Sequence, residues 1–185
     1  MIDLYTWTTP NGRKVSIMLE ELGIDFRVKP INIGENEQFT SEFLAISPNN
    51  KIPAIVDHET GVTMMESGAI LLYLADKYQR FISNDFKTRL TTIEWLMWQM
   101  GGVGPAFGQV HTFVHFNPGK APFAEERVRK EANRLYGVLD RRLADRDFVA
   151  GDYSIADMAI WPWVSRYEWQ EIDLSTFPNV KSWYL

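Results

Sequence analysis

Cysteine is absent from the 185-residue chain. Its absence excludes disulfide bonds, thiolate metal sites, Cys-x-x-Cys redox chemistry and a protein thiol nucleophile. Any thiol chemistry must therefore use a thiol that the protein binds. An excess of basic charge is also missing: 19 Lys and Arg stand against 24 Asp and Glu, a net charge of -5. That balance argues against a general nucleic-acid or anionic-membrane surface. Apolar runs such as Ala69 to Ala75 are too short to span a bilayer. No basic segment followed by an apolar one opens the chain, so a soluble, cytoplasmic protein is expected. Repeats and low-complexity tracts are lacking. Hydrophobic residues make up 45 %, with seven Trp and eleven Phe. That content suffices for a real core in one domain or two small ones, and suggests aromatic-rich packing or an apolar pocket.

Residues 2–7 are expected to form a first strand. After the turn Thr8-Thr9-Pro10-Asn11-Gly12, Val15, Met18, Leu19 and Leu22 repeat at helical spacing, and Gly23 is placed to end that helix. Residues 26–33 give a second strand, so the chain opens β-α-β, a parallel unit. A polar stretch from Gly34 to Gln38 precedes a short helical turn at 41–46. Next, Lys51-Ile52-Pro53-Ala54-Ile55-Val56-Asp57 reads as a strand with Pro at its start, where a sheet tolerates it. Glu66-Ser67-Gly68-Ala69-Ile70 then reads as a helix start, with Ser67 as N-cap and Ile70, Leu71, Leu74 and Tyr78 following. The order looks like a thioredoxin-type domain over residues 1–79. Residues 80–87 read as a linker, and residues 88–185 as helices only. There Leu90, Ile93, Met97 and Met100 form one apolar stripe, and Val128, Leu135, Leu139 and Leu143 another. Asn117 to Pro122 is a break. Ser154-Ile155-Ala156-Asp157 is an acidic capping box, with Tyr153 and Met158 spaced as a staple, and Pro162 is expected to kink its helix.

The stretch from Lys51 to Ile70 has the makings of a receptor for a small peptide. A cis Ile52-Pro53 bond would let the Ile52 backbone pair with an added strand. The helix N-terminus at Ser67 suits a carboxylate, and Glu66 suits an amino group. The plainer alternative is a hairpin followed by a capped helix. Thr9 and Asn11 offer a hydroxyl and an amide NH₂ near the first helix's N-terminus, which can stabilise a thiolate without supplying a base. Both residues would serve equally as helix caps. Tyr5 lies inside the first strand and reads as packing. His111 and His115 are four apart, but no carboxylate motif accompanies them, and no metal site is expected. Trp95, Trp98, Phe107, Phe113 and Phe116 are read as core or dimer packing, with an apolar acceptor pocket as the alternative.

Pro-Ala-Ile-Val followed by Glu-Ser-Gly-Ala-Ile-Leu-Leu-Tyr-Leu resembles the glutathione site of the glutathione transferase family. Thr-Pro-Asn-Gly, Gln38, Ile46 to His58 and Trp98-Gln99 with Gly101-Gly102 resemble its bacterial Nu class, over essentially the whole chain. The resemblance implies an α/β plus all-α protein, a thioredoxin-like domain followed by a C-terminal helical bundle. It implies that Thr9 and Asn11 lie near the glutathione sulfur, and that Asn11, Gln38, Lys51, Ile52, Pro53, Glu66 and Ser67 bind glutathione, with Pro53 cis. It also implies that Arg127 reaches the glutathione of a neighbouring subunit in a homodimer. Relatives usually continue beyond the position of Leu185, so a shortened C-terminus is expected. The activity implied is glutathione-dependent reduction of small disulfides, or peroxides, by an enzyme whose co-substrate is glutathione and which needs no metal. The alternatives are conjugation of glutathione to electrophiles and a non-catalytic glutathione-binding module.

Overall fold

The computed structural model describes residues 1–185, which divide into two compact units, Met1–Ile82 and Ser83–Leu185. In the first unit, β1 (Ile2–Thr6) leads into α1 (Pro10–Leu22), whose apolar stripe Val15, Met18, Leu19 and Leu22 is buried. Gly23 ends α1 in the left-handed region at φ 66°, donating its N–H to Glu20. β2 (Phe26–Pro30) is shorter than the sequence predicts, because Asn32 opens a 3₁₀ turn with its side chain. After α2 (Ser41–Leu44) come β3 (Ala54–Asp57), β4 (Val62–Met65) and α3 (Ser67–Tyr78). The sheet runs β2-β1-β3-β4, with β1 and β2 parallel and the other pairs antiparallel. Ile2, Leu4, Met18, Ile55, Ile70, Leu71 and Leu74 are all buried in its core.

The second unit is helical throughout. Asp85 caps α4 (Phe86–Trp98), accepting the Thr88 N–H at 2.9 Å, so the first residues of this helix are Phe86 and Lys87, which read as linker. Two π-helical segments, Gln99–Val103 and His111–His115, flank α5 (Gly104–Val110). Then follow α6 (Pro122–Arg142), α7 (Ile155–Val164) and α8 (Pro178–Tyr184). The stripe of Leu135, Leu139 and Leu143 is core, and Phe107 stacks on Tyr136 with centroids 5.2 Å apart. The other stripe is not core: Leu90 and Met97 are about half exposed, 49 % and 47 %, and α4 buries Thr92 and Leu96 instead. The capping box at Ser154 and Asp157 forms as the sequence predicts. Asp157 also accepts from the Val149 N–H and the Trp183 indole, and burial still raises its pKa. Pro162 sits inside α7, which ends two residues later.

Candidate active site

Strand register brings four chain segments to one end of the sheet. Tyr5 pairs with Ala54, Ala54 with Met65, and Thr6 with Pro30. Hence the chain leaving β1 toward Thr9, the chain leaving β2 toward Gln38, the chain entering β3 through Ile52-Pro53 and the chain leaving β4 into Glu66 emerge together. All the predicted glutathione residues except Arg127 belong to these segments.

Thr9 is the N-cap of α1, in extended backbone, and its Oγ1 accepts the Gly12 N–H at 3.1 Å. The hydroxyl proton remains a donor for another acceptor. Asn11 lies in the first turn of α1, half-buried. Gly12 is needed for space: a Cβ there would stand 2.3 Å from Thr6 Oγ1 and 2.4 Å from the Trp7 carbonyl. Tyr5 has its ring against Phe43 at 6.2 Å, the contact of a packing residue.

Gln38 sits in a 3₁₀ turn, and its Oε1 is buried with no hydrogen-bond partner. An orphaned buried acceptor is costly unless something donates to it. Ser47 donates its hydroxyl to the Lys51 carbonyl at 2.8 Å, holding the approach to a cis Ile52-Pro53 bond. Lys51 is exposed, Ile52 half-buried and Pro53 buried.

At the end of β4 the structure corrects one residue of the sequence reading. Glu66, not Ser67, is the N-cap of α3: it has φ 72° and ψ 108°, and its carbonyl accepts the Ile70 N–H. Ser67 is the first helical residue and is buried, and its Oγ accepts from Lys14 Nζ at 3.3 Å. Ser is the better cap by type, and nothing in the local sequence signals a positive φ at Glu66.

Lys14, absent from the predicted site, is only 1 % exposed. Burial lowers its pKa to about 7, while the Glu66 carboxylate pulls it upward. One signal was available: Lys14 aligns with Met18 and Leu22 at i, i+4 and i+8, on the buried side of α1. Arg127 lies in the other unit, on the exposed face of α6. It lines a groove of about 470 Å³ with Phe123, Glu126, Lys130, Glu131 and Arg134. Neighbouring charges pair along that face, Lys130 with Glu126 and Arg134 with Glu131.

Residues 1–76 match the family model described as glutathione S-transferase, N-terminal domain, and residues 103–185 match glutathione S-transferase, C-terminal domain. The chain belongs to the glutathione S-transferase family. Among its relatives, the disulfide-bond oxidoreductase YfcG of Escherichia coli is 50 % identical, the match covering all of this chain and 88 % of that one. The disulfide-bond oxidoreductase YghU of the same organism is 43 % identical over 98 % of this chain and 69 % of its own. A crystal structure of a Pseudomonas putida glutathione transferase, with one glutathione disulfide per subunit, is 44 % identical with a TM-score of 0.93, covering 99 % of this chain and 84 % of that one. A Burkholderia graminis glutathione transferase with two glutathiones per subunit is 43 % identical with a TM-score of 0.92, covering 99 % and 81 %.

The remaining candidates of the second transferase domain have packing partners. His111 is buried between the rings of Trp163 and Trp169, with Gln170 Nε2 at 3.2 Å from its Nε2. Gln170 Nε2 also donates to the Trp163 carbonyl. His111 therefore accepts, and burial, with His115 and Arg166 nearby, lowers its pKa to about 4. His115 stacks on Trp169 at 4.3 Å. Trp95 packs edge-on to Trp98, and Phe116 is 61 % exposed.

Proposed function

We propose that this transferase-family protein is a glutathione-dependent disulfide-bond reductase. The observation that carries the reading is the strand register, which brings out at one end of the sheet the segments leading to Thr9 and Asn11, to Gln38, through Ile52-Pro53 and into the first turn of α3. Those groups suit the parts of glutathione: the thiolate at Thr9 and Asn11, the backbone at Ile52, the amino group at Glu66, the γ-glutamyl carboxylate at Ser67. The names of the two curated relatives and the ligands of the two transferase structures support it.

With no protein cysteine, the bound glutathione is itself the nucleophile. Its thiolate attacks one sulfur of the acceptor disulfide and expels the other half as a thiolate, leaving a mixed disulfide. A second glutathione thiolate attacks that mixed disulfide at the glutathione sulfur. Glutathione disulfide forms, and the other half of the acceptor leaves as thiolate and takes up a proton. The protein contributes thiolate stabilisation and alignment. Consumption of reduced glutathione fits a cytoplasmic location.

A homodimer completes the proposal, with Arg127 reaching the partner's glutathione and the exposed Phe86, Leu90 and Met97 of α4 as apolar surface to be covered. Light scattering is expected to give twice the 21.4 kDa chain mass. Turnover of a small disulfide and of an aryl halide, assayed side by side with glutathione, tests the reading. Faster disulfide reduction is the expected result. Conjugation without disulfide reduction would replace this function with the conjugating one, and glutathione binding without either reaction would leave a binding module.

A further inference from the structure

Asn11 is followed by Gly12, and no other asparagine of the chain precedes a glycine. The pair is chemically fragile. A glycine nitrogen can attack the side-chain carbonyl carbon of a preceding asparagine, because no Cβ shields it. A larger residue in second place would slow that attack, but the turn into α1 has no room for one. A Cβ on Gly12 would stand 2.3 Å from Thr6 Oγ1 and 2.4 Å from the Trp7 carbonyl. Two features of α1 oppose the attack instead. Gly12 is buried and donates its N–H to Thr9 Oγ1 at 3.1 Å, so the attacking nitrogen is held. The backbone of Asn11 is helical, so its side chain leans toward the N-terminus of α1, away from the nitrogen that follows it. Both features last only while the first turn of α1 stays closed.

We infer that Asn11 is a site of spontaneous deamidation, guarded by the Thr9 cap of α1. When the turn opens, the Gly12 nitrogen attacks Asn11 Cγ and a C–N bond forms. The Cγ–NH₂ bond breaks, and the amide leaves as ammonia with the proton that Gly12 gives up. A five-membered succinimide remains. Water opens that ring at either carbonyl, giving aspartate or isoaspartate at position 11. No oxidant or reductant takes part, and water is the co-reactant. The product carries a carboxylate where the amide NH₂ stood. The chemistry stands without the glutathione reading, but its consequence rests on it: that charge disfavours a thiolate beside it, so modification switches the site off.

Peptide mass mapping of the full chain, aged in mildly alkaline buffer with and without guanidinium chloride, tests this. Exchange of NH₂ for OH at position 11 is read from the peptide mass, and isoaspartate from its separate elution. The unfolded chain is expected to modify about tenfold or more faster than the folded protein, because in the latter the reaction waits for the turn to open. Folded Thr9→Val, which lacks the capping oxygen, is expected to modify about fivefold faster than wild type. Thr9→Ser keeps that oxygen and should stay near the wild-type rate. Folded wild type that modifies as fast as the unfolded chain, or Thr9→Val that modifies no faster than wild type, would overturn the inference. If Thr9→Val does not fold, the folded and unfolded wild-type rates decide: a gap supports the guard and equal rates overturn it. Disulfide reduction by aged wild type is expected to fall in step with the modified fraction. Modification with activity intact would leave the deamidation standing and overturn the role of Asn11 at the thiolate.

Discussion

Asp57 and Lys14 are both buried ionisable residues of the N-terminal unit, the first closing β3 and the second donating to the first residue of α3. Asp57 ends β3 and accepts from Lys77 Nζ at 2.6 Å, Tyr73 OH at 2.7 Å and the Glu59 N–H at 3.0 Å. Burial alone would raise its pKa, but the hydrogen bonds from Lys77, Tyr73 and Glu59 bring it down to about 2. Beside it, Asp3 is gripped by the Arg27 guanidinium and by His58. That end of the sheet satisfies its charges within the protein. At the other end, Lys14 donates to the Ser67 hydroxyl, and Gln38 keeps a buried acceptor unpaired. The helix α3 joins the two: Lys77 anchors its last turn, and Ser67 opens its first. One end fastens the helix, and the other presents hydrogen-bonding capacity that a charged ligand can use.

The largest expected effect comes from breaking the fastened end. Lys77→Met leaves Asp57 buried without its cation and is expected to cost about 3–5 kcal/mol of stability, measured by urea unfolding. Glutathione affinity of the folded fraction should stay near wild type. A similar loss of affinity at both ends would erase the difference between them.

At the ligand end, Ser67→Ala removes a hydrogen bond to a charged group, worth roughly 1.5–3 kcal/mol. Calorimetry is expected to show glutathione binding to the folded protein weakened about tenfold or more. Unchanged affinity would remove Ser67 from the site.

The two ends also respond to pH in different ranges, stability rising with pH in each. Asp57 has a folded pKa of about 2, below its ordinary 3.8, so its stabilisation is present above that range and is lost as pH falls through it. Lys14 has a folded pKa of about 7, below its ordinary 10.5. The unfolded chain binds the extra proton between those values, so stability gained from Lys14 rises with pH across them. Unfolding of wild type and Lys14→Met compared at pH 7 and pH 10 is expected to show wild type gaining relative to the variant at the higher pH. No relative gain would contradict the burial of an ammonium there.

Much of this contrast was legible in the sequence at one end only. The Pro53 strand, the Glu66-Ser67 helix start and the Thr9-Pro10-Asn11 turn are local patterns, and local patterns fix elements. The Asp57–Lys77 pair spans twenty residues, and Lys14–Ser67 spans fifty-three. Strand order and helix placement create such pairs, and no spacing rule announces them. Spacing with Met18 and Leu22 puts Lys14 on the buried side of α1, but its contact with Ser67 appears only once the fold places α3 against it. The exposed stripe of α4 shows a related limit: periodicity identifies an apolar face but not what covers it.

The central claim is that the Thr9-Asn11 turn, and not a tyrosine, stabilises the thiolate of bound glutathione. Losing one donor to a developing anion costs ~2.7–4 kcal/mol in an oxyanion hole, and less is expected here because a thiolate is a weaker acceptor and the α1 N-terminus remains. Asn11→Ala is expected to raise the bound thiol's pKa and slow disulfide reduction by about tenfold or more, with Thr9→Ala milder. Tyr5→Phe, whose ring packs on Phe43, should change little. Thiolate absorbance of bound glutathione, titrated against pH in wild type and these three variants, decides the matter. The account predicts that the thiolate persists at neutral pH in wild type and Tyr5→Phe and retreats to higher pH in Asn11→Ala; loss of the thiolate in Tyr5→Phe with its retention in Asn11→Ala would contradict it.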